Sequence, residues 1–219
     1  MPYPADLVGK YINYRVDPGR NNANGLALVN GVLPGQTTAA AVSVYTGGAP
    51  NGLGVIPMAP HLPNWNFTFL KYVAGAVTTA GLGGPVLTGP MSGCYLCKYT
   101  QAGVQGLAHV GTANAPDSVE SVAAKNAWVT FTGRGDVSAV SGGTPFDYFT
   151  TNEYAAAMVV PGHVPLVAGY FDGGSSYSML LAPVPPTKNS LGVALLKVAA
   201  LKTMTLQPWA TIAAMRTFR

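Results

Sequence analysis

The segment best suited to chemistry is Thr88–Cys94, which reads Thr-Gly-Pro-Met-Ser-Gly-Cys and is followed downstream by His109. A cysteine becomes a nucleophile when a nearby base takes its proton, and a histidine can then return that proton to the leaving group. A neighbouring imidazolium lowers the pKa of a thiol by several units. The small residues Ser92 and Gly93 would let a substrate approach Cys94 closely and are the predicted substrate-binding residues. Backbone N–H groups there would suit an oxyanion hole.

The two reactive residues are predicted to lie on neighbouring strands. Cys94 begins the candidate strand Cys94–Thr100, and His109 lies within the next one, Gly106–Gly111. Successive side chains on a strand point to opposite faces, so the register decides which residues share a face. Strict pairing places His109 nearer Cys97 than Cys94. The sequence alone leaves this register open.

The Ser-Gly-Cys tripeptide with a downstream histidine resembles the active-site pattern of the cysteine deamidase toxins. These include the catalytic domain of cytotoxic necrotizing factor and the Burkholderia lethal factor, and the pattern recurs in the chemoreceptor deamidase CheD. The family tetrapeptide is typically Leu-Ser-Gly-Cys, and Met91 stands here in place of the leucine. The resemblance covers residues 88–109 and implies Cys94 as nucleophile and His109 as base. It also implies that Thr88 orients His109 or bonds the substrate.

The same resemblance implies a fold and an activity. The expected fold is a core of packed β-sheets flanked by helices. The expected reaction is hydrolysis of a glutamine side chain on a protein to glutamate, with loss of ammonia and without a cofactor or metal. An amine in place of water would give transglutamination. Family members modify small GTPases, a translation-initiation helicase and chemoreceptors, so the resemblance implies a bacterial toxin or effector that acts on a host protein.

Three other interpretations of the same residues remain open. Cys94 and Cys97 could form a redox pair, although such pairs usually begin a helix rather than a strand. Cys94, Cys97 and His109 could bind zinc with His61 or His163 as a fourth ligand. A buried cysteine also often packs simply as a small apolar side chain. The last interpretation fits a non-catalytic β-sandwich that serves as a binding or assembly module.

The composition indicates one strand-rich domain over residues 1–219. The chain has 27 glycines and 18 prolines, only 9% charged residues and 48% hydrophobic residues. These values exclude disordered chains, which combine low hydrophobicity with high net charge. They also disfavour coiled coils, which are rich in Glu and Lys. We therefore expect an α/β protein of the β-rich α+β type, with packed mixed sheets in a sandwich-like core, a few helices and long loops.

Alternating or apolar runs between turn residues predict the strands. The candidates are Tyr11–Val16, Leu26–Leu33, Ala41–Tyr45, Phe67–Val73, Cys94–Thr100, Gly106–Gly111, Ala127–Thr132, Leu166–Phe171 and Tyr177–Ala182. Two helices are predicted. Ser118–Asn126 follows Asp117, which forms a capping-box pattern with Glu120, and Ser190–Lys202 has apolar residues at helical spacing. The long loops 46–66 and 141–165 are candidate binding segments.

The charge distribution bears on partners and location. The net charge is +4, and five basic residues but no acidic ones follow Asp172. No basic cluster with interleaved aromatic residues occurs, so we expect no nucleic-acid partner. The uncharged stretch 21–70 is interrupted by prolines, which argues against a membrane span. The N-terminus shows no secretory signal. We therefore expect export without a cleaved signal and action in the host cytoplasm, or otherwise residence in the bacterial cytoplasm.

Overall fold

The structure is a computed structural model that describes residues 7–9, 11–13, 32–33, 38–45, 65–70, 72–89, 91, 93–112, 118–159, 161–172, 174–188 and 194–214. Over these residues the chain forms a strand-rich α+β fold of two sheets with few helices, which confirms the expected fold class. No helix in this part of the chain is long and apolar enough to cross a membrane.

The first sheet closes on itself. Its described strands, in spatial order, are β1 (Tyr11–Asn13), β12 (Ala194–Thr203), β11 (Ser175–Lys188), β10 (Leu166–Asp172), β6 (Val86–Thr88), β4 (Trp65–Leu70) and β3 (Thr38–Tyr45). Strand β3 pairs again with β1, and all neighbours run antiparallel except β4 and β6. Closure pairs β3 with β1, so none of the described strands of this sheet is left as an open edge for pairing with another chain.

The second sheet carries the candidate site. Its six strands, in spatial order, are β13 (Gln207–Pro208), β9 (Val137–Gly143), β7 (Tyr95–Gln101), β8 (Val104–Val110), β5 (Val77–Gly81) and β2 (Val32–Leu33). Strand β8 lies between β7 and β5 and is antiparallel to both. His109 therefore lies on an inner strand with a partner on each side.

Most buried apolar side chains of the described residues form three layers. One fills the closed sheet and includes Leu87, Ala168 and Met179. A second lies between the two sheets and includes Leu96, Leu107 and Phe171. The third lies on the far face of the six-stranded sheet, where Tyr99 and Trp128 meet. Because the six-stranded sheet has apolar residues on both faces, the choice of face decides the environment of each side chain on β7 and β8.

The first helix differs from the expectation at both ends. Helix α1 spans Val119–Thr132, so the predicted strand Ala127–Thr132 is wrong and the helix does not stop at Asn126. Ser118 caps it by accepting a hydrogen bond from the backbone N–H of Ser121 at 3.1 Å. The predicted cap, Asp117, lies outside the described residues. Trp128 and Phe131 continue the buried stripe of α1, and this packing overrides their preference for strands.

The predicted helix Ser190–Lys202 is also wrong where it is described. Residues 194–202 belong to strand β12, which pairs with β11 on one side and with β1 on the other. Residues 189–193 lie outside the described part. Pairing with β11 along most of β12, and with β1 at residues 195–197, supplies backbone hydrogen bonds to this strand, which explains why tertiary context overrides the helical spacing.

The segment expected as a long loop, 141–165, is largely regular. After β9 ends at Gly143, a 3₁₀ helix spans Pro145–Tyr148 and helix α2 spans Thr151–Ala157. A capping box between Thr150 and Glu153 starts α2. Only residues 158–165 then connect α2 to β10. A last helix, α3, spans Trp209–Ala214, and residues 46–64 of the other expected loop lie outside the described residues.

Candidate active site

The β7–β8 hairpin sets the register of the candidate site. Gln101 pairs with Val104 across a two-residue turn, Ala102–Gly103, in which both residues have positive φ. Turns of this kind match the twist of the flanking strands, and glycine adopts positive φ without strain. The turn places Leu96 opposite His109 and Cys97 opposite Ala108.

This register separates the two cysteines. Cys94 packs with Leu96 and Leu107 in the layer between the sheets. His109 alternates in phase with Leu107, so it faces the same layer. Cys97 packs with the apolar layer on the opposite face, which includes Trp128. The pairing thus brings Cys97 close to His109 along the backbone but puts its side chain on the other face, and Cys94 is the cysteine that shares a face with His109.

Cys94 and His109 stand in a diagonal relation across the two strands. Cys94 comes two residues before Leu96, the residue opposite His109. Diagonal neighbours of this kind have backbones roughly 7–8 Å apart, within reach of long and aromatic side chains. Whether the thiol contacts the imidazole therefore depends on a modest rotation of either side chain.

The Cys94 thiol is held in its protonated form. Cys94 is 5% exposed, and its Sγ–H donates to the main-chain carbonyl of Thr112 at 3.3 Å. Burial raises the pKa of Cys94 to about 11, although the interactions with Thr112 act in the opposite direction. Cys97 is fully buried, and burial alone raises the pKa of its thiol further.

His109 is a buried imidazole whose polar atoms are unpaired. It is 1% exposed, and neither Nδ1 nor Nε2 has a hydrogen-bond partner among the described residues. Its cross-strand neighbours are Leu96 on β7 and Thr78 on β5. Burial lowers the pKa of His109 to about 3 because the charged ring would lose its hydration. An unpaired buried polar group costs about 1–3 kcal/mol, so its retention here calls for a functional explanation.

Thr88 ends strand β6 and ties it to β10. Its Oγ1 accepts a hydrogen bond from the backbone N–H of Gly169 at 2.8 Å and donates to the carbonyl of Gly89 at 3.1 Å. The side chain is fully buried, and its methyl group points toward the same inter-sheet region as Leu96. Thr88 thus has a structural role, and its role toward His109 stays a prediction.

The small residues before Cys94 are only partly described. Ser92, predicted to contact the substrate, lies outside the described residues. Gly93 is half-buried and has φ of 137°, a conformation that favours glycine. This conformation bends the chain directly before Cys94 and the start of β7.

Two contributors to the site were missed by the sequence reasoning. Tyr72 donates from its hydroxyl to the Thr112 carbonyl at 3.3 Å, and its ring centroid lies 5.5 Å from that of His109. Thr112 supplies the carbonyl to which both Tyr72 and Cys94 donate. Neither residue stands in a motif. Only the pairing of β5, β7 and β8 brings them to Cys94.

The zinc and redox interpretations require Cys94 and Cys97 to act together. Both thiols are free. Cys97 lies on β7, Cys94 directly precedes that strand, and the two side chains pack in the layers on opposite faces of the sheet, which does not suit a shared metal or a disulfide between them. His163 is exposed, and its Nδ1 lies 3.3 Å from the Pro161 carbonyl oxygen. His61 lies outside the described residues. Within the described ranges no three His, Cys, Asp or Glu side chains are grouped as metal ligands would be.

No protein-family model matches this chain, and no curated protein matches it. The chemical interpretation of the site therefore depends on its own residues.

Proposed function

We propose that this protein is a cysteine-dependent glutamine deamidase that acts on a protein substrate. The observation that carries the proposal is the diagonal placement of Cys94 and His109 on one face of the β7–β8 hairpin, with both nitrogens of the buried imidazole unpaired among the described residues. A neutral imidazole with a free nitrogen is ready to accept a proton from a nearby thiol. The resemblance of residues 88–109 to the deamidase toxins points to the same pair.

The reaction begins when Cys94 transfers its proton to His109. The Sγ anion attacks the carboxamide carbon of glutamine, and the carbonyl oxygen takes up the negative charge near the backbone N–H groups around Gly93. Protonated His109 gives its proton to the nitrogen, and ammonia leaves. Water, deprotonated by His109, then hydrolyses the thioester to glutamate and restores the Cys94 thiol. With an amine in place of water, the same thioester would yield a transglutamination product.

The uncharged resting pair is compatible with this chemistry. Burial disfavours both the thiolate and the imidazolium, so the free protein stores a neutral thiol and a neutral imidazole. Moving the proton from Cys94 to His109 creates two opposite charges that stabilise each other when they are close. Substrate binding would promote this transfer by bringing the groups together in a site from which water is excluded.

A protein substrate is supported by an exposed apolar segment that leads into strand β10. The connection between α2 and β10 exposes Met158, Val159 and Val164. Strand β10 then runs beside Met91, whose N–H donates to the Val167 carbonyl at 2.7 Å, only three residues before Cys94. Exposed apolar side chains that precede a strand bonded to the segment before Cys94 suit docking of a folded partner.

The resemblance extends the proposal to the biological setting. We propose a bacterial toxin or effector whose target glutamine lies on a host protein, with small GTPases and a translation-initiation helicase as candidate target classes. Action in the host cytoplasm belongs to the same proposal.

The test compares the wild type with Cys94→Ser in host-cell lysate. Peptide mass spectrometry should find a glutamine converted to glutamate by the wild type alone. Free glutamine should be a poor substrate, because binding energy from the rest of the target positions the reacting group. Equal conversion by both proteins, or rapid hydrolysis of free glutamine, would contradict a protein-directed deamidase.

A second candidate function is a non-catalytic binding or assembly module. It is favoured by the Cys94 thiol, which is buried and hydrogen-bonded to Thr112 in the manner of a structural residue. Alkylation by iodoacetamide separates the two proposals. A catalytic Cys94 reacts in the folded protein much faster than Cys97, whereas two structural cysteines both react only as fast as the protein unfolds.

A further inference from the structure

Tyr72 lies against both members of the candidate pair. Its hydroxyl and the Cys94 thiol donate to one acceptor, the Thr112 carbonyl, each at 3.3 Å. Its ring is tilted by 48° against the His109 ring, with centroids 5.5 Å apart. Tyr72 is only half-buried, so it is the most exposed of these three side chains. This placement gives Tyr72 contact with the acceptor that holds the thiol and with the base that would receive its proton.

The position of Tyr72 is fixed by a close backbone approach. The turn after Tyr72 crosses Gly111, with hydrogen bonds from Gly75 N to the Gly111 carbonyl at 3.0 Å and from Gly111 N to the Ala76 carbonyl at 2.9 Å. A Cβ atom at position 111 would overlap the Val73 carbonyl oxygen. Only glycine allows this approach, so the backbone rather than a flexible loop determines where Tyr72 lies.

We propose that Tyr72 is a positioning residue that allows the Cys94 thiol to leave the Thr112 carbonyl and turn to His109. This inference rests on the proposed Cys–His function. While Cys94 donates to Thr112, its proton points at the carbonyl and is not available to His109. Proton transfer to His109 therefore requires this hydrogen bond to break.

The hydroxyl of Tyr72 lowers the cost of breaking the hydrogen bond between the Cys94 thiol and the Thr112 carbonyl. A carbonyl oxygen has two lone pairs and accepts both donors at once. When the thiol turns away, Tyr72 keeps the buried carbonyl hydrogen-bonded. Without the hydroxyl, the departing thiol would remove the second of these two hydrogen bonds from a buried carbonyl, which is costly. Removing the hydroxyl should therefore hold Cys94 more firmly in its unreactive position.

Tyr72 itself stays protonated during this step. Burial raises the pKa of its phenol, and the nearby Cys94 and Glu120 raise it further. Glu120 belongs to α1 and is exposed, while His109 faces the Tyr72 ring. The hydroxyl thus remains a donor over the pH range in which Cys94 is examined.

The test is the rate at which iodoacetamide alkylates Cys94, measured from about pH 7 to about pH 10, where the thiolate fraction sets the rate. Tandem mass spectrometry of the digested protein distinguishes Cys94 from Cys97. Tyr72→Phe keeps the ring and removes the hydroxyl. We expect alkylation to slow by about three- to tenfold, the effect of one hydrogen bond, and its onset to move to higher pH.

The matched control is Tyr148→Phe, which removes a hydroxyl that donates to the Thr205 carbonyl at 2.7 Å and not to Thr112. It should leave the alkylation profile of Cys94 unchanged. Thermal unfolding of both variants shows that they are folded. A purely structural hydroxyl would lower stability without shifting the pH profile.

The outcomes separate this inference from the proposed function. If wild-type Cys94 reacts readily but Tyr72→Phe reacts as fast or faster, Tyr72 does not release the thiol, and the proposed Cys–His function still stands. If wild-type Cys94 reacts no faster than Cys97, the proposed function fails and this inference fails with it.

Discussion

Leu96 packs directly on the backbone of Gly169, at the point where the two sheets meet. A Cβ atom at position 169 would overlap Leu96 Cδ1 and would lie 3.5 Å from Thr88 Cγ2. Because Leu96 is the residue opposite His109, this contact sets how closely the closed sheet approaches the candidate site. The distance between the two sheets at the candidate site therefore depends on the absence of a side chain at Gly169.

Gly169→Ala should destabilise the protein by about 2 kcal/mol, because the added methyl forces Leu96 out of its position in a tightly packed layer. Chemical denaturation measures the change in unfolding free energy. In the double variant with Leu96→Ala, the two effects should fall short of additive by about 1 kcal/mol, since the alanine leaves room for the methyl. Strict additivity would contradict the contact.

Thr88 allows a test of the hydrogen bond that connects β6 to β10. Thr88→Val keeps the shape but leaves the Gly169 N–H without its acceptor, which should lower the unfolding free energy by about 1–3 kcal/mol. Thr88→Ser keeps the hydroxyl and should cost less. If the valine variant is as stable as the serine variant, the hydroxyl does not support the fold. A loss of turnover in Thr88→Val beyond that explained by unfolding would support its predicted role at His109.

The two cysteines should differ sharply in function. Cys94→Ser should reduce deamidation by at least about a thousandfold with the fold intact, because a serine hydroxyl does not readily form the attacking anion. Cys97→Ala should keep most activity and lose about 1 kcal/mol of stability, since it only trims a buried side chain on the other face. Turnover of the target peptide under matched conditions measures both. The reverse result would assign the nucleophile to Cys97.

The pH dependence of kcat/KM should be flat around neutrality. The active free protein carries one proton on the Cys94–His109 pair. Burial raises the pKa of Cys94 to about 11 and lowers that of His109 to about 3, so this state persists between those values. A rate profile recorded while the protein remains folded should show no step near the ordinary histidine pKa. An inflection there would mean that His109 is far more hydrated than its burial indicates.

Burial of His109 should also make stability pH-dependent. Its folded pKa of about 3 lies below the ordinary value of 6.5, so the unfolded chain binds the extra proton first as the pH falls. Stability is therefore lost progressively below about pH 6.5. Between about pH 7 and pH 5 this loss should be about 2 kcal/mol larger in the wild type than in His109→Leu. The exposed His163, changed to Gln, serves as the control for the loss of a histidine.

The sequence by itself determined the composition class and most strands near the site. Alternation and turn residues predicted β7, β8, β10 and the core of β11, because these strands carry strong local patterns between clear turns. The short strands β5 and β6 were missed. They have few residues and lie within one apolar, glycine-rich stretch, so no local period distinguishes them.

Tertiary structure decided the segments in which local pattern and packing disagree. Leu195, Val198 and Leu201 have helical spacing, yet strand pairing on both sides makes their segment β12. Trp128 and Phe131 favour strands, yet they extend α1 across the six-stranded sheet. In both places long-range burial and backbone pairing outweigh a local preference that amounts to a fraction of a kcal/mol per residue.

In the candidate site, too, the sequence determined one part and the tertiary structure another. The sequence identified Cys94 and His109 by residue type and spacing, but it could not choose between Cys94 and Cys97. The two-residue turn at Ala102–Gly103 made that choice, because a shift of one residue would move every side chain of the strand to the other face. Tyr72 and Thr112 became part of the candidate site only because β5, β7 and β8 pair with one another. A local sequence pattern does not predict that Tyr72 will donate to the same carbonyl as Cys94 or pack against the His109 ring. Those contacts arise only when the sheets pack.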